Sequence, residues 1–327
     1  MKSFWQDLAS NKKPFFALAP MEGATDSLFR QIIVIAGKPD VFFTEFTNVE
    51  GLFSKGSGVV ERRLYHTVSE FPLIAQIWGL KPEFFYKAAK LLKEMGFTGI
   101  DINMGCPDVS VTKKGTCAAL INNKPLAKEI IAAVKEGSSD LPVSVKTRIG
   151  FSQITTSEWI GFLLEQNLDA LIVHGRTRKE MSKVPAHWDE IGKAVKIRDE
   201  RKLHTVIIGN GDVRSREEGV DKAKKHKVDG VMIGRGVFEN AWIFRNNFEE
   251  TQISYSDRLN LLSMHLELYE KEPIHRLPYH TLKKYFKIYI RSFDEASTLR
   301  QALMETENVT SAKEVLKNYS TVSKIGL

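Results

Sequence analysis

The chain has 327 residues, 43% hydrophobic and 27% charged, with 47 Lys+Arg against 40 Asp+Glu and only two cysteines. Nineteen Phe, five Trp and eight Tyr exclude intrinsic disorder and leave an ordinary globular protein, long enough for one large domain and a small one. Cys106 and Cys117 make no CxxC pair, no apolar run approaches the roughly 18 residues of a membrane span, and MKSFWQDLASNKK lacks a signal-peptide core, so a cytoplasmic protein without membrane, zinc or disulfide is expected.

Eight short apolar runs follow in order: 15–21, 41–46, 73–79, 99–105, 142–150, 170–177, 205–211 and 230–236. Most are continuous rather than alternating, the pattern of strands covered on both faces in a parallel sheet. Amphipathic helical stretches separate them at 81–96, 125–139, 156–167 and 188–202. Pro125 suits a first helical turn, Thr156 or Ser157 an N-cap, and Gly96 and Gly137 C-caps. Residues 47–70 fit the pattern worst, and an irregular excursion is expected there. Eight such units in about 250 residues predict an α/β fold, a (β/α)8 TIM barrel, over 1–250. An open doubly wound sheet is the competitor, but the first βα turn, PMEGATD, has no GxGxxG signature. From 251 to 327 only helix-period segments remain, which predicts a small C-terminal helical domain.

In such a barrel the chemistry lies at the C-terminal strand ends. Those ends carry Pro20 and Met21, Glu45, Gln76, Asn103 to Cys106, Lys146 and Arg148, His174 and Arg176, Asn210 to Asp212, and Gly234 to Gly236. Glycine turns after the last two strands expose backbone N–H groups where a phosphate cup forms, and Arg235 adds a cation. Each turn alone reads equally well as a tight connection. Lys146 ends an apolar strand, where a charge needs an anionic partner or a route to the rim. His174 and Gln76 are each ambiguous alone. Cys106 sits in a tight turn between Gly105 and Pro107, placed as a proton donor or nucleophile rather than as a core thiol.

The runs APMEGATDSLFR (19–30), QIWG (76–79), DINMGCP (101–107), KKGTCAALI (113–121), VSVKTRIG (143–150), HGRTR (174–178), GNGDV (209–213) and VMIGRG (231–236) resemble the tRNA-dihydrouridine synthases. That family comprises FMN-dependent barrels with a C-terminal helical domain. The resemblance implies that Pro20, Met21 and Glu22 lie along the flavin, Gln76 bonds its edge, and Lys146 and His174 flank the ring. Asn210, Gly211, Asp212, Gly234 and Arg235 would hold the ribityl phosphate. Cys106 would be the general acid, with Asn103 near flavin and target uracil.

The implied reaction reduces FMN with a nicotinamide nucleotide, NADPH, then passes a hydride from flavin N5 to uracil C6 while Cys106 protonates C5. The base must leave its RNA stack to reach the flavin. Two departures from the family pattern stand out: Thr116 and Cys117 replace a Gly- or Ala-rich turn, and the stretch after HGRTR carries Ser182, Val184 and His187.

The appendage contains an acid-free run, 274–291, with Arg276, Lys283, Lys284, Lys287 and Arg291 interleaved with aromatics. A helix beginning near Thr281 would put Lys283, Lys284, Lys287 and Arg291 on one side and Leu282, Phe286, Ile290 and Phe293 on another. Beside an RNA-modifying barrel this reads as a phosphate-tracking surface; for an arbitrary helix, as a solvated face. Arg176 and Arg178, with Lys113, Lys114 and Lys179, are expected to add cations at the rim. A monomer acting on tRNA is the expectation. The competing function is an FMN-dependent dehydrogenase of a free pyrimidine, similar to dihydroorotate dehydrogenases; a free pyrimidine needs no basic appendage. A non-catalytic RNA-binding protein fits poorly with Cys106, Lys146, His174 and the glycine turns together.

Overall fold

The computed structural model describes residues 2–12, 14–246, 252–272 and 277–325. The chain divides into two compact units, Met1–Ser27 with Pro39–Gly234, and Leu28–Lys38 with Arg235–Leu327. The division expected at 250/251 therefore falls at Gly234/Arg235, and one early segment joins the second unit.

The first unit is a parallel barrel of β1 (Phe15–Leu18), β2 (Phe42–Phe43), β3 (Thr47–Asn48), β4 (Leu73–Trp78), β5 (Gly99–Met104), β6 (Val143–Arg148), β7 (Ala170–His174), β8 (Val206–Asn210) and β9 (Gly230–Ile233). The ladder runs β1-β9-β8-β7-β6-β5-β4-β2, and an Ala17 to Val41 bridge brings the ends together. The expected second strand, 41–46, is broken, because the Thr44 hydroxyl takes the Gln76 N–H at 3.0 Å, a ladder bond that a backbone carbonyl would otherwise accept. Thr47 and Asn48 then pair again with Ile77 and Trp78.

Inside the barrel, Phe15, Ala17, Ala19, Phe43, Ile74, Ala170, Ile172, Val206, Ile208 and Met232 alternate inward. They are joined by Trp5 of α1 (Phe4–Asn11), whose ring lies 6.0 Å from Phe15 and 6.1 Å from Phe43. This helix is absent from the sequence reading: Phe4, Trp5, Leu8 and Ala9 pack at helical spacing, but eight residues are too short a window for a periodic signal. After β1 comes α2 (Ser27–Gly37); around the barrel, and within the irregular 47–70 stretch, run α3 (Val49–Leu52), α4 (Ser57–Glu61), α5 (Pro82–Glu94), α6 (Val109–Thr112), α7 (Lys124–Ser138), α8 (Thr156–Leu164), α9 (Trp188–Glu200) and α10 (Arg216–His226).

Pro125 does lie in the first turn of α7, and Gly96 follows α5 with φ 78. The other two cap expectations are corrected. Thr155, not Thr156 or Ser157, is the N-cap of α8. Gly137 lies within α7, where a Cβ would stand 2.4 Å from the Tyr86 carbonyl oxygen of α5. The residue is there for helix contact. Gly137→Ala is expected to lower stability by about 1–3 kcal/mol through overpacking, read as the shift in urea midpoint; an unchanged midpoint would show that α5 and α7 separate freely.

The second unit holds α11 (Gly236–Glu239), α12 (Tyr255–Lys271), α13 (Phe286–Tyr289), α14 (Ala296–Glu305) and α15 (Val309–Ile325). It takes in most of α2 because Phe29 stacks on Tyr285 at 4.9 Å and the Arg245 Nε donates to the Ala36 carbonyl. The expected basic helix from Thr281 is corrected: residues Tyr279–Tyr285 form a 3-10 helix and only Phe286–Tyr289 are α-helical. Tyr285, Phe286, Ile288, Tyr289 and Ile290 are all buried, a density that one amphipathic face cannot supply. Leu282 is buried as expected, and Phe293 meets Tyr255 edge-on at 4.6 Å. Arg276 lies outside the described residues. Among the described residues no helix is long and apolar enough to cross a membrane.

Candidate active site

Paired residues on neighbouring parallel strands face the same way. Gln76 pairs with Asp101 and Asp101 with Ser144; Asn103 pairs with Lys146 and Lys146 with inward-facing Ile172. Arg148, His174, Asn210 and Met232 form the next tier. The polar strand ends thus continue the inward alternation of the core and converge at one rim.

A buried chain of hydrogen bonds fixes the first of these groups. Ser144 Oγ donates to Asp101 Oδ1 at 2.6 Å, Gln76 Nε2 to Asp101 Oδ2 at 2.7 Å, and Asn103 Nδ2 to Gln76 Oε1 at 3.0 Å. Asn103 Oδ1 accepts the N–H groups of Gly105 (3.0 Å) and Cys106 (2.9 Å). The amide orientations of Gln76 and Asn103 are thereby set, and the turn carrying Cys106 is clamped to β5. Burial raises the Asp101 carboxyl to about 6 against these hydrogen bonds.

Lys146 is half-buried, and its ammonium makes no hydrogen bond or ion pair within 4.0 Å among the described residues. Burial first, then the Arg148 charge, depresses its ammonium to about 8. An inward, partly desolvated cation without a direct partner is the strongest sign at this rim of an anionic or electron-rich ligand. Arg148, 5% exposed, ties the loops together by donating from Nε to the Gly105 carbonyl (2.8 Å) and from Nη1 to the Thr177 and Met181 carbonyls (3.0 Å each). Sequence reading noted Arg148 at a strand end without giving it this part. Asp101 and Ser144 went unnoticed because a polar pair inside a strand has no motif of its own.

The half-buried His174 contacts Arg176 through Nε2 and Nη1 at 3.3 Å. Arg176, expected at the substrate, is instead buried at 3% exposure. Its Nε donates to the Val184 carbonyl at 2.6 Å and its Nη2 pairs with Asp212. Asp212 also accepts Ala186 N–H at 2.8 Å, so the divergent loop after HGRTR is anchored to the end of β8. Arg178 is half-buried, donates to Thr112 Oγ1 at 3.1 Å and lies over Phe151. Lys113, Lys114 and Lys179 are exposed.

Asn210 Nδ2 donates to the Met232 carbonyl at 2.8 Å, joining β8 to β9. Gly211 has φ 133, and a Cβ there would approach Ala186 Cβ to 2.7 Å, so this turn requires glycine. A Cβ on Gly234 would meet Ala19 Cβ at 3.6 Å and Met21 Sδ at 3.7 Å; the bare backbone leaves that space open. Pro20 and Met21 are half-buried, whereas Glu22 is exposed and paired with Arg63. Arg235 belongs to the second unit, at the N-cap of α11. In that unit Lys283 Nζ donates to the Met304 carbonyl (2.7 Å), Arg291 Nη1 to the Glu239 carbonyl (2.5 Å), Lys284 lies 4.7 Å from the Tyr285 ring centre, and Lys287 is exposed.

Comparison with known proteins shows the family of the chain. A family model described as dihydrouridine synthase matches residues 17–324. A probable tRNA-dihydrouridine synthase of Staphylococcus aureus (strain Mu50) is 44% identical over 323 residues, 97% of this chain and 96% of that protein. A probable tRNA-dihydrouridine synthase 2 of Bacillus subtilis (strain 168) is also 44% identical, over 97% of each chain. Among solved structures, a histamine dehydrogenase from Rhizobium sp. 4-9 aligns with TM-score 0.55 at 14% identity, over 77% of this chain and 48% of its own. A morphinone reductase variant in complex with tetrahydroNAD aligns with TM-score 0.51 at 11% identity, over 70% and 85%. At such identities these two speak for the barrel fold alone.

Proposed function

The chain belongs to the dihydrouridine synthase family, and from that premise we propose that it is an FMN-dependent oxidoreductase, working as a monomer in the cytoplasm, that reduces specific uridines of tRNA to 5,6-dihydrouridine with NADPH as reductant. The observation that carries the reading is Cys106, half-buried on a turn whose N–H groups are clamped by Asn103, at the rim that also presents unpaired Lys146.

The residues present fit a flavin phosphate and ring. Lys146 supplies a cation without a direct partner, and the turn at Gly234 leaves its backbone approachable. Pro20, Met21, Glu22, Gln76, Lys146 and His174 would hold the ring, and Asn210, Gly211, Asp212, Gly234 and Arg235 the phosphate. Asp212 serves there through its backbone, since its carboxylate is engaged by Arg176 and Ala186. When bound, FMN supplies the hydride that a nicotinamide nucleotide delivers and a uracil receives. Cys106 supplies the proton for C5 from its Sγ–H. Asn103 has its carbonyl oxygen committed to the Cys106 turn, so its remaining amide N–H is what it offers to a ligand.

Extruding a base requires interactions that offset the stacking it gives up. Lys113, Lys114, Arg178 and Lys179 offer charge in the first unit; Lys283, Lys284, Lys287 and Arg291 do so in the second. Since Lys283 and Arg291 also bond backbone carbonyls, Lys287 is the most available of these four. Reversing charge at Lys283, Lys284 and Lys287 is expected to weaken tRNA binding and to flatten its log–log salt slope by about 0.7–0.9 for each phosphate that is no longer neutralised. A titration at several salt concentrations, with circular dichroism to verify folding, checks this; unchanged affinity and slope would remove the surface from the account.

A further inference from the structure

Cys117 stands where the resemblance leads one to expect glycine or alanine, and the fold brings it against Cys106. Cys106 is half-buried and Cys117 fully buried at the start of the 3-10 turn Cys117–Asn122; both are free thiols. The Ala118 N–H donates to the Cys106 carbonyl at 3.3 Å, which holds the backbone of the Cys117 turn against the turn that carries Cys106. Cys117 has φ 54, a left-handed conformation that a non-glycine residue keeps only when its surroundings hold it.

We propose that Cys106 and Cys117 are a reversible disulfide site, at which a hydroperoxide oxidises Cys106 and Cys117 resolves the product. The Cys106 sulfur, as thiolate, attacks one peroxide oxygen; the O–O bond breaks, the leaving alkoxide or hydroxide takes up the proton released from Cys106, and a sulfenic acid forms. Cys117 Sγ then attacks that sulfur, the S–O bond breaks, and the departing hydroxide leaves as water with the Cys117 proton. The sum converts two thiols and one hydroperoxide into a disulfide, an alcohol or water, and one water.

The environment divides the two roles. The neighbouring Cys117 thiol lowers the Cys106 thiol most, helped by the Asp108 backbone N–H and Arg148 against burial and the Asp108 charge, which favours the reactive thiolate. The same contact and burial raise Cys117, which stays a thiol out of solvent until its partner is oxidised. The consequence for activity rests on reading Cys106 as the proton donor, since a disulfide has no proton to give. The pairing chemistry does not depend on that reading.

The test treats the purified full chain with graded hydrogen peroxide and maps it by mass spectrometry without reduction. The wild type is expected to yield a peptide joining Cys106 to Cys117, with loss of two hydrogens, and to regain both alkylatable thiols in dithiothreitol. Cys117→Ala and Cys117→Gly, the latter suited to φ 54, are expected to give no joined peptide and to carry Cys106 to the sulfinic acid, which dithiothreitol does not reverse. Wild-type Cys106 reaching sulfinic acid at the same dose as the variants, with no joined peptide, would overturn the proposal. Because the readout is mass, that outcome is distinct from a failure of the untreated protein to reduce tRNA.

Discussion

Cys106→Ala is expected to fold and to bind FMN like the wild type while forming dihydrouridine about 10²–10⁴-fold more slowly, the range for loss of a positioned general acid. The backbone of the turn does not depend on sulfur. Asn103 Oδ1 still accepts Gly105 and Cys106 N–H, and Ala118 N–H still reaches the residue 106 carbonyl. What disappears is the one proton-bearing side chain on this clamped turn. Dihydrouridine counted by mass spectrometry of digested tRNA, alongside the flavin spectrum, checks this. Undiminished product in a well-folded variant would refute the acid assignment.

Acidification is expected to destabilise the helical unit through His265. This residue of α12 is 1% exposed; its Nδ1 lies 2.7 Å from the Tyr289 hydroxyl, and its Nε2 has no hydrogen-bond partner among the described residues. Burial first and the Lys284 charge second depress the ring to about 3, below the ordinary histidine value of 6.5. Below pH 6.5 the unfolded chain therefore binds a proton that the folded chain refuses. Stability is full above pH 6.5 and falls on acidification, by about 1.4 kcal/mol per pH unit toward pH 3. Thermal melts or amide exchange of α12 between pH 8 and pH 4 measure the slope. His265→Gln, which keeps a polar group toward Tyr289, should remove most of that slope; an identical slope in the variant would assign the acid lability elsewhere.

The barrel was legible because its strands are buried on both faces and read as continuous apolar runs, and because polar residues cluster at one end of each. Gln76, Lys146, His174 and Asn210 were found by that rule and do converge on one rim. Less legible was whatever depends on which neighbour a side chain meets. Arg176 reads as a rim cation in HGRTR, yet Asp212, 36 positions later, and Val184 draw it inside. Gly137 reads as a cap because the Tyr86 carbonyl pressing on it belongs to another helix. Helix α2 belongs to the helical unit because Phe29 finds Tyr285, a partner far along the chain. The basic run 274–291 had the right composition for a helix face, but the packing of Tyr285 to Ile290 replaces most of that helix with a tighter turn.

The most direct test of the account is to incubate the purified, FMN-loaded protein with NADPH and unmodified tRNA and to measure dihydrouridine by mass spectrometry of the digested RNA. The account predicts uridines heavier by two hydrogens at defined positions, formed only when both NADPH and tRNA are present. Unmodified tRNA after turnover conditions, with a free pyrimidine reduced instead, would contradict it.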